Sequence, residues 1–280
     1  MEKVIQNLHQ LVTHDIVRVK YPATLAMYVR EAEEAWRDFI ALPDEVKRSF
    51  GYKPDVLRSG VGYQGPETGR DPKEHFHVCL AEATWLKAQA VSMNHPVITK
   101  LIESALRLAE QAKPFIREDF LSTAEAEFVL PNLVQNGMNA SDRWMLRFLH
   151  YFGGCKAGEI IAAEHIDKGP MTAHLYESDS GFERLTREGT WEPVTFGDSE
   201  TAIIAGIGLQ HRSKGRLNAV CHRVRANERT AKIGRNSIVL FIECDGIAHY
   251  DKEANGPMQG FPPGFFYDMP FEKLDSYFLH

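Results

Sequence analysis

The second half of the chain contains a series of short apolar runs, and this series constrains the fold more than any other feature. Between residues 144 and 248 the runs are separated by turns that contain glycine, lysine and asparagine. They read "WMLRFLHYF", "EIIAAEHI", "MTAHLY", "WEPVTF", "TAIIAGIGL", "LNAVCHRVRA" and "NSIVLFIEC". A spacing of about 8 to 15 residues is typical of an all-β sandwich or barrel and not of βαβ units.

The first half has the periodicity of helices. In residues 23–42 apolar side chains recur every three or four positions, with charged residues largely on the opposite face. Pro43 ends this predicted helix, and "DEVKRSF" begins another short one at Asp44. A further helix is predicted from about residue 96 to 113, and "IREDFLSTAEAEFVLPNLV" predicts one or two more. The glycines and prolines of residues 51–70 indicate a long loop.

These patterns predict an α+β chain whose core is mainly β, a barrel or a jelly roll. We expect a helical N-terminal region with a substrate-side loop at residues 1–143, the β core at 144–250, and a tail at 251–280. The tail is rich in proline, glycine and phenylalanine, so we expect it to pack across the barrel or its mouth.

Composition excludes some classes of function. The net charge is −6, which gives no electrostatic reason to expect nucleic acid or an anionic membrane surface as a partner. No apolar run is long enough to predict a membrane span, and no early run predicts a secretory signal. The four cysteines lie far apart with no CxxC pair, which predicts reduced thiols in a cytoplasmic protein.

A histidine and an aspartate lie two residues apart in "EHIDKGPMTAHL". About 0.6 such pairs are expected by chance in this chain, and "HYD" at His249 and Asp251 has the same spacing. His165 and Asp167 differ because they end a predicted strand, where residues two apart share a face. Two imidazoles and one carboxylate on one face are the usual protein ligands of an Fe(II) site, so such a site would need a third ligand from another strand. His222 is a candidate, because it lies in the alternating run "VCHRV".

Arg235 and Ser237 form a second pair that shares a face of a strand. If "ANERTAK" is the turn of a hairpin, residues 222 and 236 lie opposite each other and Arg235 lies close to the third ligand. A guanidinium beside a hydroxyl suits the capture of a carboxylate. A buried arginine indicates either an internal acidic partner or an anionic ligand.

Six phrases, in order, resemble the iron(II)- and 2-oxoglutarate-dependent dioxygenases of the isopenicillin-N-synthase-like family. They are "AWRDFIALPDEVKRSF", "GYQG" with "DPKEHF", "RFLHYF", "HIDKGPMTAHL", "GLQHRSKGRLNAVCHRV" and "RNSIVLF". Three departures lie outside the ligand set. "DIVRVKY" is a shortened version of the opening strand, Gly206-Ile207 stands where Gly-Asp is common, and Phe152 stands where proline is usual.

The resemblance implies a double-stranded β-helix, or jelly roll, that carries Fe(II) on His165, Asp167 and His222. It implies that Arg235, Ser237 and Tyr151 bind the cosubstrate 2-oxoglutarate. With O2, such an enzyme oxidises a small molecule, by default through hydroxylation, and releases succinate and CO2.

Other interpretations of the residues stay open. Arg58 and Tyr63 of the long loop are candidate substrate contacts. His75 and His77 share a face, and either pack the loop or lie on the substrate side. An iron oxidase or cyclase of the same fold that does not consume 2-oxoglutarate is the first alternative, and a non-catalytic ligand-binding jelly roll is the second.

Overall fold

The structure is a computed structural model of the 280-residue chain. It describes residues 10–11, 13–51, 61–66, 71–120, 144–167, 169, 171–197, 199–212 and 217–242. The predicted tail, the second His-x-Asp pair at His249 and Asp251, and the candidate substrate residue Arg58 lie outside the described residues.

Eleven strands, six α-helices and one 3-10 helix, Leu80–Glu82, are named among the described residues. The strands are β1 Ile16–Lys20, β2 Gly62–Gln64, β3 Lys73–Cys79, β4 Met145–Tyr151, β5 Ile160–His165, β6 Met171–Glu177, β7 Phe182–Leu185, β8 Trp191–Pro193, β9 Glu200–Ala205, β10 His222–Arg225 and β11 Arg235–Ile242. The helices are α1 Ala23–Ile40, α2 Asp44–Ser49, α3 Ala83–Met93, α4 Pro96–Phe120, α5 Ile207–Arg212 and α6 Thr230–Ile233.

The strands form two sheets with antiparallel pairing. Seven strands lie in the order β1-β9-β6-β11-β4-β3-β2, and four lie in the order β5-β10-β7-β8. The predicted α+β class with a mainly β core is confirmed. The expected hairpin between β10 and β11 is wrong, because these strands belong to different sheets and pair with different neighbours.

Several elements differ from the sequence-based predictions. Strand β1 forms in "DIVRVKY", the shortened version of the opening strand, whereas β2 and β3 come from the region expected to be helical apart from its loop, and β2 lies inside that loop stretch. Strand β7 and helix α3 were not predicted. The end of the run "TAIIAGIGL" is helical, since β9 stops at Ala205 and α5 begins at Ile207. The division of the chain at residues 143 and 250 stays a prediction.

Helices α1 and α4 cover one face of the seven-stranded sheet. Alternate residues of β4 and β11 pack there, and Trp36 of α1 is fully buried against Phe148, with ring centroids 5.7 Å apart. Its indole nitrogen also donates to the carbonyl oxygen of Leu149, 3.2 Å away. The remaining residues of β4 and β11 face the four-stranded sheet, as period-two alternation requires. That inner face carries the candidate site.

No helix among the described residues is long and apolar enough to span a membrane.

Candidate metal centre

Strand pairing brings the three predicted ligands together. His165 ends β5 and His222 begins β10, and the two residues lie directly opposite each other in the antiparallel register. Their ring centroids are 4.3 Å apart, and Nε2 of His165 is 3.9 Å from Oδ1 of Asp167. One possible ligand atom from each of the three residues lies within 4.8 Å of the others. This group could hold one metal ion.

Backbone carbonyl groups orient both imidazole rings. Nδ1 of His165 is 2.7 Å from the carbonyl oxygen of Ala163, and Nδ1 of His222 is 3.0 Å from that of Val220. A carbonyl oxygen can only accept, so Nδ1 carries the proton in each ring and Nε2 keeps its lone pair. Metal-binding histidines generally have this arrangement, in which the second nitrogen is held by a hydrogen bond.

Asp167 is a carboxylate at neutral pH. Burial would raise its pKa, but the imidazoles of His222 and His165 and a hydrogen bond from Thr172 lower the pKa below its ordinary value. The Thr172 hydroxyl lies 2.5 Å from Oδ2. Burial, reinforced by His165, lowers the pKa of His222 to about 3, so this ring is neutral. Neutral imidazole and a carboxylate suit a transition metal such as Fe(II).

The close approach of two loops positions Asp167. Strand β5 ends at His165, so the aspartate lies just beyond the strand and not on it as expected. Its carbonyl oxygen accepts a hydrogen bond of 2.9 Å from the amide of Ile207. A Cβ at Gly206 would lie 2.7 Å from that carbonyl oxygen and 2.1 Å from that of Gly169. Glycine is therefore required at this contact.

The metal-site residues face a cavity between the two sheets. Its volume, with its open mouth, is about 470 Å³. The predicted cosubstrate residues Arg235, Ser237 and Tyr151 line the same cavity as the three candidate ligands. The other lining residues include Lys73, Arg147, Thr172, His174, Glu177 and Phe182. The two predicted groups thus share one space, although β10 and β11 are not hairpin partners.

Arg235 has an internal acidic partner. It lies opposite Tyr151 in the β4–β11 register and is almost completely buried. Its Nη2 atom is 2.5 Å from Oε2 of Glu177, and its Nε donates to the carbonyl oxygen of Asp179 at 3.3 Å. A buried arginine indicated either an internal acidic partner or an anionic ligand, and the structure contains the internal acid, Glu177.

Sequence reasoning missed His174 and Glu177. Nδ1 of His174 is 2.9 Å from Oε1 of Glu177, so the glutamate lies between the histidine and Arg235. The alternation of Thr172 and His174 in "MTAHLYE" could have identified the histidine. It could not have identified Glu177, because a register shift between Ile238 and Val239 of β11 changes which residues of β6 face inward.

The remaining candidates have structural partners. Tyr63 is buried, its hydroxyl lies 2.7 Å from Oε2 of Glu74, and it does not line the described cavity. A contact between Tyr63 and a substrate stays a prediction, and the position of this side chain outside the cavity does not favour it. His77 lies 2.7 Å from Nε of the cavity residue Arg147. Burial, with the positive charges of Arg147 and Lys73, lowers the pKa of His75 to about 3.

No family model matches the chain, and no curated protein matches it. Solved structures do match. A full-length Neurospora crassa protein in complex with alpha-KG and 5-formyluracil has a TM-score of 0.71 and 19% identity, covering 98% of this chain and 89% of that one. The rice dioxygenase for auxin oxidation has a TM-score of 0.66 and 22% identity, covering 86% and 78%. A Caulobacter crescentus protein assigned to the 2OG-Fe(II) oxygenase family has a TM-score of 0.70 and 20% identity, covering 87% and 82%.

These likenesses extend over most of each chain. They show that the protein has the fold of the 2OG-Fe(II) oxygenases, which confirms the expected jelly-roll class. At this level of identity the fold alone is shared, and the chemistry is argued from the site.

Proposed function

We propose that the protein is an Fe(II)- and 2-oxoglutarate-dependent dioxygenase that oxidises a small molecule. The observation that carries the proposal is the convergence of His165, Asp167 and His222 on one cavity that also holds Arg235 and Ser237. A metal site and an anion site in one space suit a cosubstrate that binds through both ends.

The donor set fits the metal. Two imidazoles with the proton on Nδ1 offer Nε2 lone pairs, and Asp167 offers an oxygen that Thr172 does not occupy. His165, Asp167 and His222 would hold the metal where cosubstrate and O2 can reach it from the cavity. Bound Fe(II) would supply the activation of O2 that couples decarboxylation of 2-oxoglutarate to substrate oxidation, with release of succinate and CO2.

The protein residues orient the reactants and exclude water. Arg235, Ser237 and Tyr151 would hold the distal carboxylate of 2-oxoglutarate, for which a guanidinium and two hydroxyls are suitable partners. The Neurospora protein described above was solved with alpha-KG, which supports 2-oxoglutarate as the cosubstrate of this fold. Apolar side chains from both sheets, such as Val239, Val224 and Phe182, would limit the access of water to the reacting centre.

The substrate is proposed to be a small organic molecule, with hydroxylation as the default outcome. The Neurospora complex holds 5-formyluracil and the rice enzyme is named for auxin oxidation, so nucleobases and indole acids are reasonable first probes. Arg58 is kept as a candidate substrate contact. A cytoplasmic location is proposed because Cys79, Cys155 and Cys221 are free thiols.

A second candidate is an iron oxidase of the same fold that does not consume 2-oxoglutarate. The observation in its favour is the ion pair between Arg235 and Glu177, which neutralises the arginine without any ligand.

Succinate release separates these functions. The purified protein would be incubated with Fe(II), 2-oxoglutarate, O2 and the probe substrates, while Fe(II) binding is measured separately without O2. The proposal predicts succinate formation that requires Fe(II) and is stimulated by the true substrate. Metal binding with no consumption of 2-oxoglutarate under any condition would favour the oxidase, and no metal binding would favour a ligand-binding jelly roll.

A further inference from the structure

The arginine of the proposed cosubstrate subsite is already paired with an acid of the same chain. The side chains of Arg235 and Glu177 are 1% and 2% exposed, and Nη2 of the arginine is 2.5 Å from Oε2 of the glutamate. Neither atom forms a hydrogen bond with a described residue, so the contact is an ion pair with poor hydrogen-bond geometry. Nη2 of Arg235, a residue that lines the cavity, therefore has no hydrogen-bond acceptor among the described residues although Glu177 lies beside it.

His174 holds the other oxygen of the same glutamate. Its Nδ1 lies 2.9 Å from Oε1 of Glu177, and the histidine side chain is itself 6% exposed. The carboxylate is thus contacted at both oxygens, by an imidazole ring that contacts Phe182 and by a guanidinium that lines the same cavity as Ser237. A side chain held in this way cannot leave Arg235 without losing two favourable contacts.

A second carboxylate entering the subsite would meet this one. Arg235 carries a single positive charge, and Glu177 already balances it in a buried environment where charges are weakly screened. The distal carboxylate of 2-oxoglutarate must therefore share the guanidinium with Glu177 or displace it. Either route reduces the net free energy of binding relative to an arginine with no internal partner.

We propose that Glu177 determines the affinity of the Arg235–Ser237 subsite by competing with the cosubstrate's distal carboxylate for Arg235. This inference rests on the proposed use of 2-oxoglutarate. Glu177 is a specificity-determining residue in this assignment, and His174 is a positioning residue that holds it in place. The consequence is a weak intrinsic affinity for 2-oxoglutarate that the removal of one negative charge strengthens.

The test is the binding of 2-oxoglutarate to the Fe(II)-loaded protein without O2, measured by calorimetry. Glu177→Gln keeps the shape of the side chain and removes its charge, and we expect the Kd to fall by about tenfold or more, because a competing buried charge is gone. Glu177→Asp retracts the carboxylate from Arg235 and should give a smaller gain. Arg235→Ala should lose 2-oxoglutarate binding, both with Glu177 intact and in the Glu177 variants.

Glu183→Gln is the matched control. Glu183 also pairs with arginines, Arg223 at 2.6 Å and Arg225 at 3.1 Å, but it does not line the cavity. Its Kd for 2-oxoglutarate should stay within about twofold of the wild-type value. Both variants should lower the melting temperature of the ligand-free protein, but only Glu177→Gln should increase the rise in melting temperature that 2-oxoglutarate produces.

The outcomes separate the inference from the proposed function. If the wild-type protein binds 2-oxoglutarate and Glu177→Gln binds it equally or more weakly, the competition is refuted and the proposed function stands. If neither protein binds 2-oxoglutarate although both bind Fe(II), the proposed function is refuted and the inference falls with it. Binding by Glu177→Gln that is tighter than wild type, with Glu183→Gln unchanged, supports both.

Discussion

Two groups of buried polar side chains lie on opposite sides of the seven-stranded sheet, and they differ in how completely they are satisfied. On the helical side, the Glu74 cluster consists of Glu74, Lys47, Tyr63 and His150. Its glutamate accepts from Lys47 and Tyr63, each at 2.7 Å, and from His150 at 2.8 Å. Both carboxylate oxygens are occupied by donors from the same chain.

The cavity side is incompletely satisfied. Among the described residues, Nε2 of His174, Oε2 of Glu177 and Nη2 of Arg235 are buried without a hydrogen-bond partner, and the last two are only ion-paired with each other, at 2.5 Å. Nε2 of both candidate metal-binding histidines keeps a lone pair. A saturated buried cluster stabilises the fold, whereas unsatisfied groups that converge on a cavity are available for a ligand. The comparison therefore assigns stability to the Glu74 cluster and binding to the cavity.

The largest expected effect comes from Asp167→Ala. Loss of one of three ligands should reduce Fe(II) binding and turnover to the background of the assay, while the protein remains folded because a buried charge has been removed. Calorimetric titration with Fe(II) without O2 would measure it. Asp251→Ala, the aspartate of the other His-x-Asp pair, is the control and should bind Fe(II) normally. The reverse pattern would show that the wrong pair was chosen.

For Glu74→Ala we expect a loss of stability without a loss of Fe(II) binding, which is the opposite of the result expected for Asp167→Ala. Lys47 would be left buried without its main counterion, so the free energy of unfolding should fall by about 3 to 5 kcal/mol. Fe(II) affinity should not change. Urea denaturation measures the first quantity and metal titration the second. Glu192→Ala removes an exposed ion pair with Arg184 and should cost less than about 1 kcal/mol. Equal losses in the two variants would contradict the role of the Glu74 cluster.

A smaller effect is expected at Thr172, which orients the aspartate without touching a metal. Thr172→Val preserves the shape and removes the hydroxyl that donates to Asp167. Fe(II) affinity should fall by about 10- to 100-fold, as is typical for a residue that orients a metal ligand. Thr172→Ser keeps the donor and should restore most of the affinity. If valine and serine give the same Kd, the hydrogen bond does not position the ligand.

The smallest effect is a difference in pH dependence between the two sides of the sheet. His75 shares its face of β3 with the cavity residue Lys73, and its pKa in the folded protein is about 3, below its ordinary value of 6.5. The unfolded chain binds a proton that the folded protein does not, so this contribution to stability is complete above pH 6.5 and is lost progressively as the pH falls toward 3.

The pKa of Glu74 is also lowered, since hydrogen bonds from His150, Lys47 and Tyr63 outweigh the burial that would raise it. Its contribution is therefore present above its ordinary value of 4.5 and is lost only in more acidic solution. Between pH 7 and 5.5, the free energy of unfolding should fall by about 1 kcal/mol less in His75→Gln than in the wild-type protein. Glu74→Gln should not change the slope of the unfolding free energy against pH in this range. Denaturant titrations across this range would detect the difference. A change of slope in Glu74→Gln alone would contradict it.

Much of the fold could be predicted because its signals are local. The apolar runs became β4, β5, β6, β8, β9, β10 and β11, and the period of residues 23–42 became α1. Strand β7 in "FERL" and α3 in "ATWLKAQAVSM" were missed, because the first is short with two charged residues and the second has no clear apolar stripe. Strand β1 lies within "DIVRVKY", the shortened version of the opening strand, whereas β2 and β3 were missed, the first because it is only three residues long and lies in a stretch with glycine and proline.

The sequence by itself determined which of the predicted site residues share a face of a strand. Covalent geometry places residues two apart on one face of a strand, so Arg235 and Ser237 could be grouped without a structure. His165 and Asp167 were grouped for the same reason, and their proximity holds although β5 ends at the histidine. The ordered phrases then indicated that His222 accompanies them.

Only the tertiary structure decided how these groups meet. Pairing between β5 and β10 is a contact between distant segments, and no local pattern specifies which strands of the two sheets become neighbours. The same holds for Glu177, which a register shift between β6 and β11 turns toward Arg235. Local alternation gives the face of each residue, whereas the packing of the whole chain sets the register, and here the register places an acid beside the arginine.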